Sequence, residues 1–369
     1  MNELVAIVLP GGPAFVDELR GAWDRGDAVL PVDTRLPVAA IGALLDDLAP
    51  SVVVDAPRER SRRAGVPVEP GDALVMATSG TTGRPKGVVL THAAIEASSR
   101  ATTARLGIDP ARHKWLGCLP VSHIGGLAVI TRSLHSGTPF EVLAAFDADA
   151  VRAAAGRGAT HTSLVPTALA RIDPSVFECI LIGGASPPAI VPPNGIVTYA
   201  MTETASGVWY GDRALDGVEI AIRAGEIHVR APMLLRCYRD GHDPKTPDGW
   251  LPTGDAGEID SDGQLVVHGR RGDMIITGGE NVWPAAVERA LAAHPSVAEV
   301  MVEGRSDAEW GARVAAIVVP RDAGAPPTLD ELRAFARESL PAYALPRQLV
   351  LAPALPRTPL GKLRRNRKH

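Results

Sequence analysis

Short apolar runs alternate with amphipathic stretches through the first 210 or so residues. Val5–Leu9 is an apolar run closed by Pro10-Gly11-Gly12, which predicts a buried strand entering a turn. Phe15–Trp23 has helical spacing. Asp27–Pro31 and Ser51–Val54 read as buried strands, with a helix over Val38–Leu48 between them. Charged, proline-flanked Arg58–Gly65 predicts a surface loop, Ala73–Ala77 a further strand, and Ala93–Leu106 a helix. Strands alternating with helices predict an α/β sheet with helices on its faces. The texture changes after Asp212. Val218–Ile222 and Glu226–Arg230 are short alternating runs joined by Ala224-Gly225, a hairpin pattern, and Gly263–His268 is a similar strand. Beyond Arg271 the pattern is a compact α+β unit. It has helices over Pro284–Ala292 and Leu329–Leu340 and strands over Val297–Val302 and Arg313–Val319. The main boundary is expected at Gly269–Gly272.

With 369 residues the chain suits about two domains. A net charge of −4 argues against a nucleic-acid binder that relies on a basic surface. No apolar run reaches the roughly 18 residues of a membrane span, and the first residues lack the basic start of a secretory signal. Cys118, Cys179 and Cys237 are scattered and odd in number, which speaks against a disulfide framework and for a reducing cytoplasm. Of 38 basic residues only Lys86, Lys114, Lys245, Lys362 and Lys368 are lysine, so a lysine in a Gly- or Pro-rich turn stands out as chosen over arginine.

One such turn is Thr78-Ser79-Gly80-Thr81-Thr82-Gly83-Arg84-Pro85-Lys86-Gly87. It follows a strand and combines closely spaced hydroxyls and glycines with a lysine. Glycines allow close backbone approach to a phosphate, successive N–H groups form an anion nest, and Lys86 adds a point charge. Lys86 is followed by Gly87 rather than Ser or Thr, so the run is not a Walker A loop.

The run resembles the phosphate loop of the acyl-adenylate-forming superfamily, which includes acyl-CoA synthetases, adenylation domains and luciferases. The resemblance continues in family order. Pro120–Gly126, Gly183-Gly184-Ala185, Tyr199–Thr204, Thr253-Gly254-Asp255 with Gly269-Arg270, and Pro356–Lys362 are each similar to a family element. It implies an α/β fold: a large N-terminal domain of mixed sheets with flanking helices plus a β-rich subdomain (1–269), and a small mobile α+β C-terminal domain (270–369). It implies ATP, Mg²⁺ and coenzyme A as co-reactants and a small carboxylic acid as substrate. Thr78, Ser79, Gly80, Thr81, Thr82, Gly83, Gly183, Gly184, Ala185, Tyr199, Thr202, Asp255 and Arg270 would bind nucleotide. Lys86 and Lys362 would be catalytic, and Glu203 catalytic and the magnesium ligand. His123, Gly125, Gly126 and Arg132 would face the acyl group, with the hinge at Arg271-Gly272.

The residues read more openly on their own. Glu203 also suits a solvated loop, Tyr199 a core position, and Arg132 either a substrate carboxylate or a structural salt bridge. His123–Ser133 is similar to the o-succinylbenzoate–CoA ligases of menaquinone biosynthesis. The chain departs from the superfamily in its shortened N-terminal lobe, in Ala200 after Tyr199, and in Gly272 at the hinge. The short lobe leaves a homodimer open. Other aryl or medium-chain acyl-CoA ligases, a carrier-loading adenylation domain and a non-catalytic nucleotide-binding module share these elements.

Overall fold

The computed structural model describes residues 2–79, 85–184, 187–188 and 190–357. Contacts divide the chain into two units, Met1–Ile220 with Val229–Leu251, and Ala221–His228 with Pro252–His369.

The first unit holds two seven-stranded sheets. In one, Asp72–Ser79, Ala28–Pro31, Leu4–Ile7 and Val52–Ala56 lie side by side and parallel. Leu4–Ile7 and Ala28–Pro31 are buried at every position, as the continuous apolar runs of a sheet covered on both faces require. Pro85–Thr91 and then Cys237–Tyr238 extend one edge antiparallel. The other edge is Glu59–Arg62, antiparallel to Val52–Ala56. The surface loop expected over Arg58–Gly65 is therefore in part a strand. All four of its side chains are in solvent, so no face imposes apolar alternation, and its charges oppose pairing with another chain.

In the second sheet, Gly195–Met201, Cys179–Ile182, His161–Leu164, Trp115–Gly117 and Phe140–Val142 are parallel. Ser206–Tyr210 and Arg213–Ala214 complete it antiparallel. Two helices link the sheets. His92–Leu106 begins at Thr91, whose Oγ1 accepts the Ala94 N–H, and ends at Gly107 with φ 61°. Its buried positions include Ala94, Ala97, Ser98, Ser99, Ala101 and Thr102. These small side chains let helix Ile124–Ser136 lie against it. The first helix packs on strand Pro85–Thr91 and the second on Trp115–Gly117 and His161–Leu164.

The second unit contains strands Val297–Asp307, Gly311–Pro320 and Gln348–Leu351. Helices Pro284–Ala292 and Leu329–Ala336 pack with them around Val287, Leu291, Val302, Val314 and Leu332. The expected hairpin, Glu219–Arg223 with Glu226–Arg230, lies where the chain passes from one unit to the other and back. Its turn residues Ala224 and Gly225 both have positive φ, the conformation a two-residue hairpin turn demands. Strands Leu251–Ile259 and Leu265–Arg270 complete this four-stranded sheet.

The three cysteines are free thiols. Burial pushes Cys118 and Cys179 up to about 11. Among the described residues, no helix is long and apolar enough to cross a membrane.

Candidate functional site

Strands Asp72–Ser79 and Pro85–Thr91 pair with Thr78 opposite Lys86 and Ser79 opposite Pro85, which brings both ends of the phosphate loop together. The Thr78 hydroxyl donates to the Lys86 carbonyl at 3.3 Å. Gly80, Thr81, Thr82 and Gly83 lie outside the described residues. Lys86 Nζ stands 4.8 Å from the centroid of the Tyr238 ring. The Tyr238 hydroxyl donates to Glu203 Oε1 at 3.1 Å.

Glu203 and Thr202 sit on a 3₁₀ turn at the carboxyl end of strand Gly195–Met201. Ala205, with φ 55°, closes that turn. The Thr204 hydroxyl donates to the Met201 and Ser206 carbonyls, so the carboxylate's mounting is held by its own neighbours. No described residue hydrogen-bonds Glu203 Oε2. A carboxylate oxygen with no described partner, on a residue whose other oxygen is held by the tyrosine that also contacts Lys86, fits a hard cation such as Mg²⁺, which commonly binds through one or two carboxylates together with substrate phosphates. Among the described residues no group of three or more His, Cys, Asp or Glu could hold a metal ion.

Tyr199 lies on the same strand beside a register shift at Tyr199/Ala200, the position where the family glycine is replaced. Gly183 and Gly184 follow the neighbouring strand Cys179–Ile182, with Ile182 opposite Val197. A Cβ on Gly183 would meet Thr198 Oγ1 at 2.6 Å, which explains the glycine. Ala185 lies outside the described residues.

His123 is the cap residue of helix Ile124–Ser136. Two residues that sequence reasoning missed face it. Asp33 is buried and accepts the Arg35 backbone N–H at 3.0 Å, Nε at 2.8 Å and Nη2 at 2.6 Å. Burial pushes the Asp33 carboxyl up, but hydrogen bonds and charge from Arg35 outweigh it and leave the group below its ordinary value. Arg35 Nη2 is 3.4 Å from His123 Nε2. The same Nε2 lies 3.9 Å from Asp33 Oδ2, so the imidazole faces both members of the Asp33–Arg35 pair. The signal in the sequence was the Asp-x-Arg pair directly after a buried strand.

Gly125 and Gly126 form the first turn of the helix. A Cβ on Gly126 would stand 2.4 Å from the Pro120 carbonyl oxygen and 2.5 Å from that of Leu119. Gly126→Ala is expected to cost about 1–3 kcal/mol, the usual penalty of overpacking. The urea midpoint checks this, and an unchanged midpoint would show that the contact is relieved without strain.

Arg132, further along the helix, is only 3% exposed. Its Nη2 donates to Ser206 Oγ at 3.2 Å, and its guanidinium lies 4.8 Å from the Trp115 ring centroid. Its Nη1 is buried without a hydrogen-bond partner. Of the two sequence readings, the structural salt bridge is the one the structure lacks: no described carboxylate pairs with Arg132. Neighbouring His161 is pushed down to about 4 by burial and then by His113, so it is neutral at pH 7 and adds no second positive charge.

Within the second unit, Asp255 and Arg270 face each other across paired strands, with Nε 3.0 Å from Oδ1. Arg270 Nη1 also donates to the Thr253 carbonyl. Glu226, missed in the sequence, accepts the Gly254 N–H and pairs with Arg271 at 2.6 Å. Arg271 and Gly272 lie in a 3₁₀ turn, Arg271–Asp273. Lys362 lies outside the described residues.

Residues 55–282 match the AMP-binding enzyme family and residues 286–362 the AMP-binding enzyme C-terminal domain. A probable 2-succinylbenzoate–CoA ligase from Mycobacterium tuberculosis is 38% identical over 90% of this chain and 94% of its own length. The 2-succinylbenzoate–CoA ligase of Bacillus cereus is 36% identical over 79% of this chain and 68% of its own. The o-succinylbenzoate CoA synthetase of Bacillus subtilis, solved with the acyl-adenylate intermediate OSB-AMP, superposes with TM-score 0.86. That match has 29% identity and covers 98% of this chain and 87% of that one. The same enzyme with ATP and magnesium ion gives TM-score 0.85 at 29% identity, covering 98% and 88%.

Proposed function

We infer the chemistry from one premise: the chain belongs to the AMP-binding enzyme family. It is an AMP-forming acid–thiol ligase. A carboxylate attacks the α-phosphorus of ATP and expels pyrophosphate. The thiol of CoA then attacks the acyl carbon of acyl-AMP and expels AMP. ATP, Mg²⁺ and CoA are the co-reactants.

The acid is o-succinylbenzoate, in line with the relatives' names. The observation that carries this reading is the buried Arg132 with an unused Nη1. An acid with two carboxylates activates one and must find a counter-charge for the other, and a guanidinium fork is suited to it. His123 borders the acyl side, with Gly125 and Gly126 giving the helix its close approach. Thr78 to Gly83 and Lys86 hold the outgoing phosphates. Glu203 holds the metal, whose charge when bound offsets that of the phosphates. Tyr199, Thr202 and Gly183 to Ala185 take the adenine side, and Asp255 and Arg270 the ribose.

Mass spectrometry of products from ATP, CoA and a panel of acids tests the reading. o-Succinylbenzoyl-CoA is the expected dominant product. A higher kcat/KM for a monocarboxylic aryl or medium-chain acid would replace the assigned substrate. Faster transfer to a phosphopantetheinylated carrier than to CoA would replace the acceptor.

Both half-reactions use one cleft, and the thiol needs room that Lys362 occupies in the first. A rotation of the small domain supplies it, pivoting at Arg271-Gly272. Proline at 272 would fix φ near −65° and disfavour the helical backbone of Arg271, which the 3₁₀ turn uses. Gly272→Pro is expected to block thioester formation and spare adenylation in single-turnover assays. Proportionate loss in both, or normal rates in both, removes Gly272 as the pivot.

A further inference from the structure

We propose that Tyr238 is a positioning residue that keeps Lys86 and Glu203 apart and aimed at the same triphosphate. The proposal rests on the roles assigned to those two residues above.

Two parts of one side chain make two separate contacts: the ring carries the Lys86 ammonium and the hydroxyl donates to Glu203. The strand geometry explains the first. Tyr238 pairs with Val88, so Lys86, two residues before Val88, is its diagonal neighbour on the same face. Diagonal cross-strand neighbours are within reach of an aromatic side chain. The second contact comes from another element. The Leu235 N–H donates to the Glu203 carbonyl at 2.7 Å and ties the Glu203 turn to the segment that leads into Tyr238.

An ammonium and a carboxylate that serve one metal-bound polyphosphate attract each other. Joined as an ion pair, they would neutralise each other, and neither would be fully available to the ligand. No ion pair joins Lys86 to Glu203. Tyr238 contacts each of them instead. Its face holds the cation by quadrupole attraction, and its hydroxyl holds one carboxylate oxygen and leaves the other open.

The test is calorimetric titration with ATP, once with Mg²⁺ and once in EDTA, without acid or CoA. Glu203→Gln is the reference and is expected to abolish the gain in affinity that Mg²⁺ confers. Tyr238→Phe keeps the ring and is expected to reduce that gain about 3- to 10-fold, the worth of one hydrogen bond, with metal-free ATP binding unchanged. Tyr238→Leu removes both contacts and is expected to weaken metal-free binding as well, by about 2- to 5-fold. If Glu203→Gln leaves the Mg²⁺ gain intact, the metal role of Glu203 fails and the proposal with it. If Glu203→Gln abolishes the gain but Tyr238→Phe matches wild type, only the proposal falls. Equal weakening of both nucleotide forms by Phe and Leu would mark Tyr238 as a packing residue and overturn it too.

Discussion

Lys362→Ala is expected to slow adenylation by about 10²–10³, the usual loss for one preorganised donor at developing charge. The rate of thioester formation from preformed acyl-AMP should stay near wild type. Carboxylate attack on ATP brings two anions together, and the pentavalent phosphorus gathers further negative charge. A lysine that bridges the incoming carboxylate and the AMP portion acts on that step alone. The second step expels AMP and, in the proposed rotation, does not use the lysine. The chain supplies the motive: it spends lysine sparingly, yet places one directly after Pro359-Leu360-Gly361. Single-turnover measurement of each half-reaction checks the split. Equal loss in both would make Lys362 a structural residue.

Arg132→Leu is expected to discriminate between substrates. Its loss should fall on the dicarboxylate, with a gap of about 1.5–3 kcal/mol in kcat/KM relative to a monocarboxylate analogue, the worth of a charged hydrogen bond. The stability change should run the other way. The guanidinium is buried with Ser206 and Trp115 as neighbours and no described carboxylate partner. Burying a charge costs free energy that only good pairing offsets, so the leucine variant is expected to melt at or above the wild-type temperature. Equal loss on both acids, or a large drop in Tm, would make Arg132 a structural residue.

The legible parts of the fold were those where one local pattern decides. Leu4–Ile7 and Ala28–Pro31 are covered on both faces, so they read as uninterrupted apolar runs. Glu59–Arg62 is covered on neither and gave no signal. The phosphate loop was legible because its chemistry is packed into consecutive residues. Tyr238 was not, because its hydroxyl acts on a carboxylate 35 residues away. Arg35 was not, because it meets His123 across 88 residues. Arg132 was visible as an anomaly in an apolar helix, but only packing shows that Ser206 and Trp115 leave one of its nitrogens unused.

An enzyme that makes a mixed anhydride carries a potent acylating agent inside itself, and its own nucleophiles are the first at risk. Cys118 precedes the Pro120–Gly126 element by two residues, and Cys179 begins the strand that leads into Gly183. Only the thiolate attacks an acyl carbon. With both thiols pushed up to about 11, these side chains stay protonated at neutral pH. Burial thus makes both poor nucleophiles toward an acyl-adenylate. The reactive thiol in the second half-reaction is then the one that CoA brings.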